Sequence, residues 1–186
     1  MALLLAGITV WFLVHLFPAV APASRENMIF KLGENAYKGL FSLMILAALL
    51  MIVFGWKSST PTAIYVPPVA PGFLPALMVF AAFVLFFSSN FNTSAKRYLR
   101  HPQMAGTLLW ATAHLLTNGD SRSVALFGSL AVWALLEIVL CNRRDGPRAE
   151  LPEASVKFDL IAAVIGAVAW ALVGHFHVKL FGVSPF

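Results

Sequence analysis

Charge and cysteine are what this sequence has least of. Only 11% of its 186 residues are Asp, Glu, Lys or Arg, against about a quarter in an ordinary soluble domain. A soluble globular enzyme is therefore excluded. A single cysteine, Cys141, leaves no intrachain disulfide and no cysteine-built zinc cluster. There is no glycine-rich phosphate loop, no H-E-x-x-H and no G-x-S-x-G. Nucleotide-loop, zinc-protease and serine-hydrolase chemistry are thereby set aside. Internal repeats and low-complexity tracts are also missing.

What is present is hydrocarbon. Hydrophobic residues make up 60% of the chain and the mean hydropathy is +0.82. Apolar runs long enough to cross a bilayer, about 20 residues each, fall at 3–20, 38–56, 73–91, 102–117, 122–141 and 158–178. The first has no basic stretch before it and no A-x-A-like cleavage site after it, so it is read as a retained helix. The proline-rich 57–72 segment is expected to run extended along a surface. Thr117-Asn118-Gly119-Asp120-Ser121 is expected to turn spans four and five into a hairpin. The expected fold is all-α: one polytopic helical bundle over residues 1–186 with about six transmembrane helices. Net charge is +5, and its distribution orients the bundle. Arg25, Lys31, Lys38, Lys96, Arg97, Arg100, Arg143, Arg144, Arg148 and Lys157 lie on one side of the spans; Lys57, Arg122 and Lys179 lie on the other. By the positive-inside rule both termini face outward. Basic residues so divided among short loops point to membrane lipid as the partner rather than nucleic acid.

The polar residues inside these spans carry the functional question. Gln103, Thr107, Trp110, His114 and Thr117 recur at helical spacing, and Arg100 extends the stripe backward. Such a face is expected to look into the bundle, because unpaired polar groups facing lipid cost several kcal/mol. Interhelical hydrogen bonding is its simplest use. Span one repeats the pattern with Trp11 and His15, followed by Pro18, which removes a helix N–H. Each imidazole is either a group bonded to backbone or a ligand to metal or haem, since haem takes neutral imidazole in an apolar slot. Glu137, one turn after Trp133, is expected to be paired or protonated, with Arg143, Arg144, His101 and His15 as candidate partners. His101 begins span four beside Pro102. His175 and His177, two residues apart, do not share a helical face, and interface polarity accounts for them. Gly166 and the alanines of span six signal close helix packing.

Three stretches taken in order, VHLFPAVAPASR (14–25), GENAYKGLFS (33–42) and LRHPQMAGTLLWATAHLLTNGD (99–120), resemble the NnrU family of bacterial membrane proteins. The resemblance spans roughly residues 1–145 and reaches, more distantly, the zeta-carotene isomerases. It implies a bacterial cytoplasmic membrane and a link to nitrogen-oxide metabolism in denitrification, with nitrogen-oxide respiration proteins as partners. From the isomerases it implies haem b, with His15 and His114 matching the iron ligands and His101 matching the R-H-P-Q histidine. Trp11, Trp110, Gln103, Arg100 and Glu137 would then line the cofactor. An isomerase would act on a hydrophobic polyene. R-H-P at the start of a helical hairpin also resembles membrane methyltransferases that bind S-adenosylmethionine, with Arg143, Arg144 and Glu150 as the later elements.

Span arithmetic bears on the ligand pair. His15 lies about 8 Å from the basic side and His114 about 20 Å, at 1.5 Å per residue. The resemblance favours His15 with His114, whereas depth alone favours His15 with His101. Both pairings stay open at this level.

Overall fold

The computed structural model describes residues 1–148 and 153–184. Among these it is all-helical: α1 Ala2–Val20, α2 Pro22–Leu32, α3 Glu34–Ser58, α4 Phe73–Ser88, α5 Ala95–Tyr98, α6 Pro102–Thr117, α7 Ser121–Asp145 and α8 Val156–Phe181. Helices α1, α3, α7 and α8 are each long and apolar enough to cross a membrane, and α4 is a shorter apolar helix. The chain is thus a multi-pass membrane protein.

The helices pack in the order α3, α1, α7, α6, α4, α8. Helix α7 therefore stands between the two histidine-bearing helices, α1 and α6. Small residues set the closest approaches. A Cβ on Gly55 of α3 would lie 2.3 Å from the Leu4 nitrogen of α1, so nothing larger fits there. Gly106 brings α6 onto the Ala82 carbonyl of α4, and Gly166 brings α8 onto Val84 of the same helix. Backbones meeting at glycine are how membrane helices associate when lipid is as apolar as their side chains. Leu13, Leu43 and Phe73 remain well exposed, as expected of surfaces that meet hydrocarbon.

Each end of the bundle is tied by polar contacts. At one end the 59–72 segment lies over the α6–α7 turn: Ile64 and Tyr65 amides donate to the Gly119 carbonyl at 2.8 and 3.1 Å, and Ser121 donates to the Thr62 carbonyl at 2.8 Å. The Tyr65 hydroxyl reaches the Leu115 and Asn118 carbonyls. Asp120 caps α7, its Oδ1 accepting from the Arg122 and Ser123 amides at 3.0 and 3.2 Å. The α6–α7 hairpin expected from the sequence is therefore present, with the proline-rich segment laid across it. At the opposite end Arg100 donates to the Gly146 carbonyl at 2.7 Å and Arg148 to the Arg97 carbonyl at 2.9 Å. Ser94 binds both carboxylate oxygens of Asp159 at 2.7 Å, fixing the start of α8.

Helix α7 departs from regular geometry at Val124–Gly128, where it forms a π-turn. The extra residue rotates Phe127 relative to Trp133 and Glu137 below it. Such turns concentrate at functional sites.

Candidate functional site

The two histidines of the spans are held in the same way. His15 Nδ1 lies 3.0 Å from the Trp11 carbonyl oxygen, and His114 Nδ1 lies 2.9 Å from the Trp110 carbonyl oxygen. A carbonyl only accepts, so each Nδ1 carries the proton and donates. The Nε2 of each neutral ring is left with its lone pair. A histidine that binds metal through one nitrogen commonly donates the other N–H to a carbonyl, which fixes tautomer and orientation. Each imidazole is therefore set as a ligand would be.

Their surroundings differ. His15 stacks on Trp11 at 4.1 Å between ring centres and meets Trp133 at 5.1 Å and Phe41 at 5.8 Å. Tyr37 continues this cluster through Phe41 at 6.3 Å. Trp133, Tyr37 and Glu137 are all buried, at 5, 7 and 8% exposed. The Trp11 and Trp133 indole nitrogens and the Tyr37 hydroxyl are buried without a hydrogen-bond partner among the described residues. Each such group costs about 1–3 kcal/mol if nothing satisfies it. His114 instead lies between apolar rings, with Phe127 stacked on it at 4.3 Å and Trp110 at 4.8 Å. Trp56 closes that cluster against Phe127 at 6.3 Å.

His15 and His114 contact different rings of α7. They share no ring neighbour among the described residues; His15 meets Trp133 of α7 and His114 meets Phe127. Six residues of helix separate those contacts, about 9 Å at 1.5 Å per residue. Two imidazoles on one metal ion lie within about 4 Å, since each bond is about 2 Å. His101 is engaged elsewhere on α7. Its Nε2 lies 3.0 Å from Asn142 Oδ1, and Asn142 is about 140° around α7 from Glu137. The chemistry at His15, an imidazole with its Nε2 uncommitted beside the partnerless indole N–H groups of Trp11 and Trp133, would suit holding a haem iron. The chemistry at His114 fits a ligand in an apolar slot.

The expected polar stripe of α6 divides. Gln103 is exposed and Thr107 half-buried. The threonines are satisfied within their own helix, Thr107 donating to the Gln103 carbonyl at 3.0 Å and Thr117 to the Ala113 carbonyl at 3.2 Å. Back-bonding of this kind lets a hydroxyl sit in a membrane helix without an interhelical partner. Only Trp110 and His114 of the stripe meet Phe127 of α7. Glu137 is in no ion pair among the described residues; its Oε2 accepts from the Cys141 thiol at 3.3 Å, and it lies within electrostatic reach of His15 and Arg144. Of the methyltransferase-like elements, Arg100 is committed to the Gly146 carbonyl and Arg144 to Asp145 at 2.7 Å. Glu150 lies outside the described residues.

Sequence reasoning passed over Tyr37, Phe41 and Phe127. The first two lie in GENAYKGLFS (33–42), one of the three stretches carrying the resemblance, so the signal was available. Phe127 had none, because a π-turn places it.

The family profile described as "NnrU protein" matches residues 3–185. The chain belongs to the NnrU family. The match takes in α8, beyond the point where the sequence motifs of this NnrU protein end. No curated protein and no solved structure matches the chain.

Proposed function

We propose that this NnrU family protein is a haem b protein of the bacterial cytoplasmic membrane that serves nitrogen-oxide metabolism, with His15 as the principal iron ligand. The observation that carries the reading is the His15 imidazole: Nδ1 is spent on the Trp11 carbonyl, Nε2 is uncommitted, and the two tryptophans that meet the ring, Trp11 and Trp133, carry buried indole N–H groups without a partner. His114 shares the tautomer but not the donors. It is therefore assigned a second, apolar position, where it ligates only if the helices re-pack on loading.

Haem bound at His15 supplies an iron able to exchange an electron and to bind a nitrogen oxide. The chain's own part is to orient the imidazole and shield it with Trp11, Trp133 and Phe41. In this reading α4 and α6 also cross the bilayer, giving six spans, and the end bearing Arg25, Arg100 and Arg148 faces the cytoplasm. The role is sensing or assembly support for respiration proteins rather than turnover of a known substrate.

Purification after expression with ample haem supply, followed by a pyridine haemochrome assay, tests the reading. The expected result is b-type haem in the wild type and its loss in His15→Ala. Equal haem per chain in the two proteins would remove the assignment.

A further inference from the structure

The end of the bundle that bears most of the basic residues is knit from three segments. Ser155, at the start of α8, donates its amide to the Asn92 carbonyl at 3.1 Å, and Ser94 binds Asp159. Two arginines cross-link the other pair of segments in opposite directions. Arg100 donates to the Gly146 carbonyl at 2.7 Å, and Arg148 donates back to the Arg97 carbonyl at 2.9 Å. The steps Arg97 to Arg100 and Gly146 to Arg148 each span at most about 11 Å, at 3.8 Å per residue. Both guanidinium groups therefore lie in one patch.

Carboxylates do not balance the charge of that patch. A guanidinium carries five N–H donors, and a carbonyl accepts one of them without cancelling the charge. Asp145 is spent on Arg144 at 2.7 Å, and Asp159 on Ser94. Glu153 is exposed. Among the described residues, neither it nor Arg97, Arg100 or Arg148 is in an ion pair. Such a patch repels a metal cation and calls for an anion with several acceptor oxygens. Phosphate meets that need, since guanidinium binds it through two parallel hydrogen bonds.

Position selects the source of the phosphate. Arg100 lies two residues before α6 begins, and Gly146 directly follows α7. The patch thus sits where apolar helices leave the hydrocarbon. Between Arg97 and Arg100 stand Tyr98 and Leu99, 86 and 38% exposed. A tyrosine at that level is an interfacial anchor, its ring against lipid and its hydroxyl among headgroups. A soluble phosphate makes no use of these two side chains, whereas a phospholipid engages them and the arginines together. A zwitterionic headgroup would carry its own cation up to the arginines; an anionic one carries none.

We propose that Arg97, Arg100 and Arg148 bind the phosphodiester of an anionic phospholipid, with Tyr98 and Leu99 against its acyl chains. Basic pockets between membrane helices hold acidic headgroups in this way. Lipid bound there joins the segment before α6 to the segment after α7. The site is independent of iron at His15.

The test titrates the full chain in mild detergent with phosphatidylglycerol or phosphatidylcholine and counts bound lipid by native mass spectrometry. Phosphatidylglycerol should bind at least about fivefold more tightly, the scale of one arginine at an anionic surface. That preference should vanish in Arg100→Gln/Arg148→Gln. It should persist in Lys57→Gln/Lys179→Gln, which removes two cations at the opposite end. Arg97→Gln keeps the carbonyl that Arg148 binds, so it should weaken the preference without cutting either cross-link. Equal binding of the two lipids by the wild type, which needs no variant, would overturn the proposal. So would a preference unchanged in the folded arginine variants, or displacement of the lipid by millimolar inorganic phosphate, which would mark a soluble-anion site instead.

Discussion

In α1 and in α6 a tryptophan precedes a histidine by four residues, and in both the imidazole Nδ1 binds the tryptophan's carbonyl. Around His15 three other helices supply Tyr37, Phe41, Trp133, Glu137 and, more distantly, Arg25. Around His114 the ring neighbours are Phe127 and Trp110, neither of which holds a buried partnerless donor among the described residues. One local motif is thus set once in a polar cluster and once in an apolar one. The lesson is that the Trp-x-x-x-His spacing fixes the imidazole against its own helix, whereas the residues across the helix interface decide what surrounds it.

The comparison breaks most readily at the histidines themselves. His15→Ala should lower haem per chain at least about tenfold, the scale of losing a group that orients or holds a metal, while His114→Ala should lower it less. Haemochrome assays on matched preparations separate the two, and equal loss in both would merge them into one site. Next in size is Phe127→Ala, which removes the ring stacked on His114 and should destabilise the fold by about 3 kcal/mol. Thermal unfolding in detergent measures it, with Trp133→Phe as the milder counterpart on the His15 side.

A smaller effect should come from Asp120, which caps α7 next to the His114 cluster. Burial pushes its carboxyl up, but the Ser123 hydroxyl, the Ser123 and Arg122 amides and the Arg122 guanidinium outweigh burial and hold it below its ordinary 3.8. A folded value below the unfolded one stabilises above the unfolded value, and that contribution fades as pH falls through the folded value. The wild type should therefore lose stability in acid. Asp120→Ala should show a flatter profile and be about 1 kcal/mol weaker near neutrality, as for a lost helix cap. The smallest change should be His101→Ala, which costs about 1 kcal/mol or less from its bond to Asn142 and leaves haem content unaltered.

Much of the fold could be read from the sequence, because spans and hairpins are local. Hydrocarbon runs place the long helices, and Asn118-Gly119-Asp120 places the turn between α6 and α7. The different depths of His15 and His114 also follow from counting residues, and the structure keeps them at different levels of α7. Other features depend on interfaces that no single stretch records. The α6 stripe is expected to face inward as a unit, yet Gln103 in the first turn of α6 is exposed. Phe127, which stacks on His114, lies within the π-turn. The indole donors beside His15 come from two helices, Trp11 from α1 and Trp133 from α7.

The most direct test of the account is the optical spectrum and haem stoichiometry of His15→Ala beside His114→Ala, each against wild type in the same detergent. The account predicts a b-type spectrum in the wild type, near-complete loss in His15→Ala and substantial retention in His114→Ala. Full haem in His15→Ala, or loss only in His114→Ala, would contradict it.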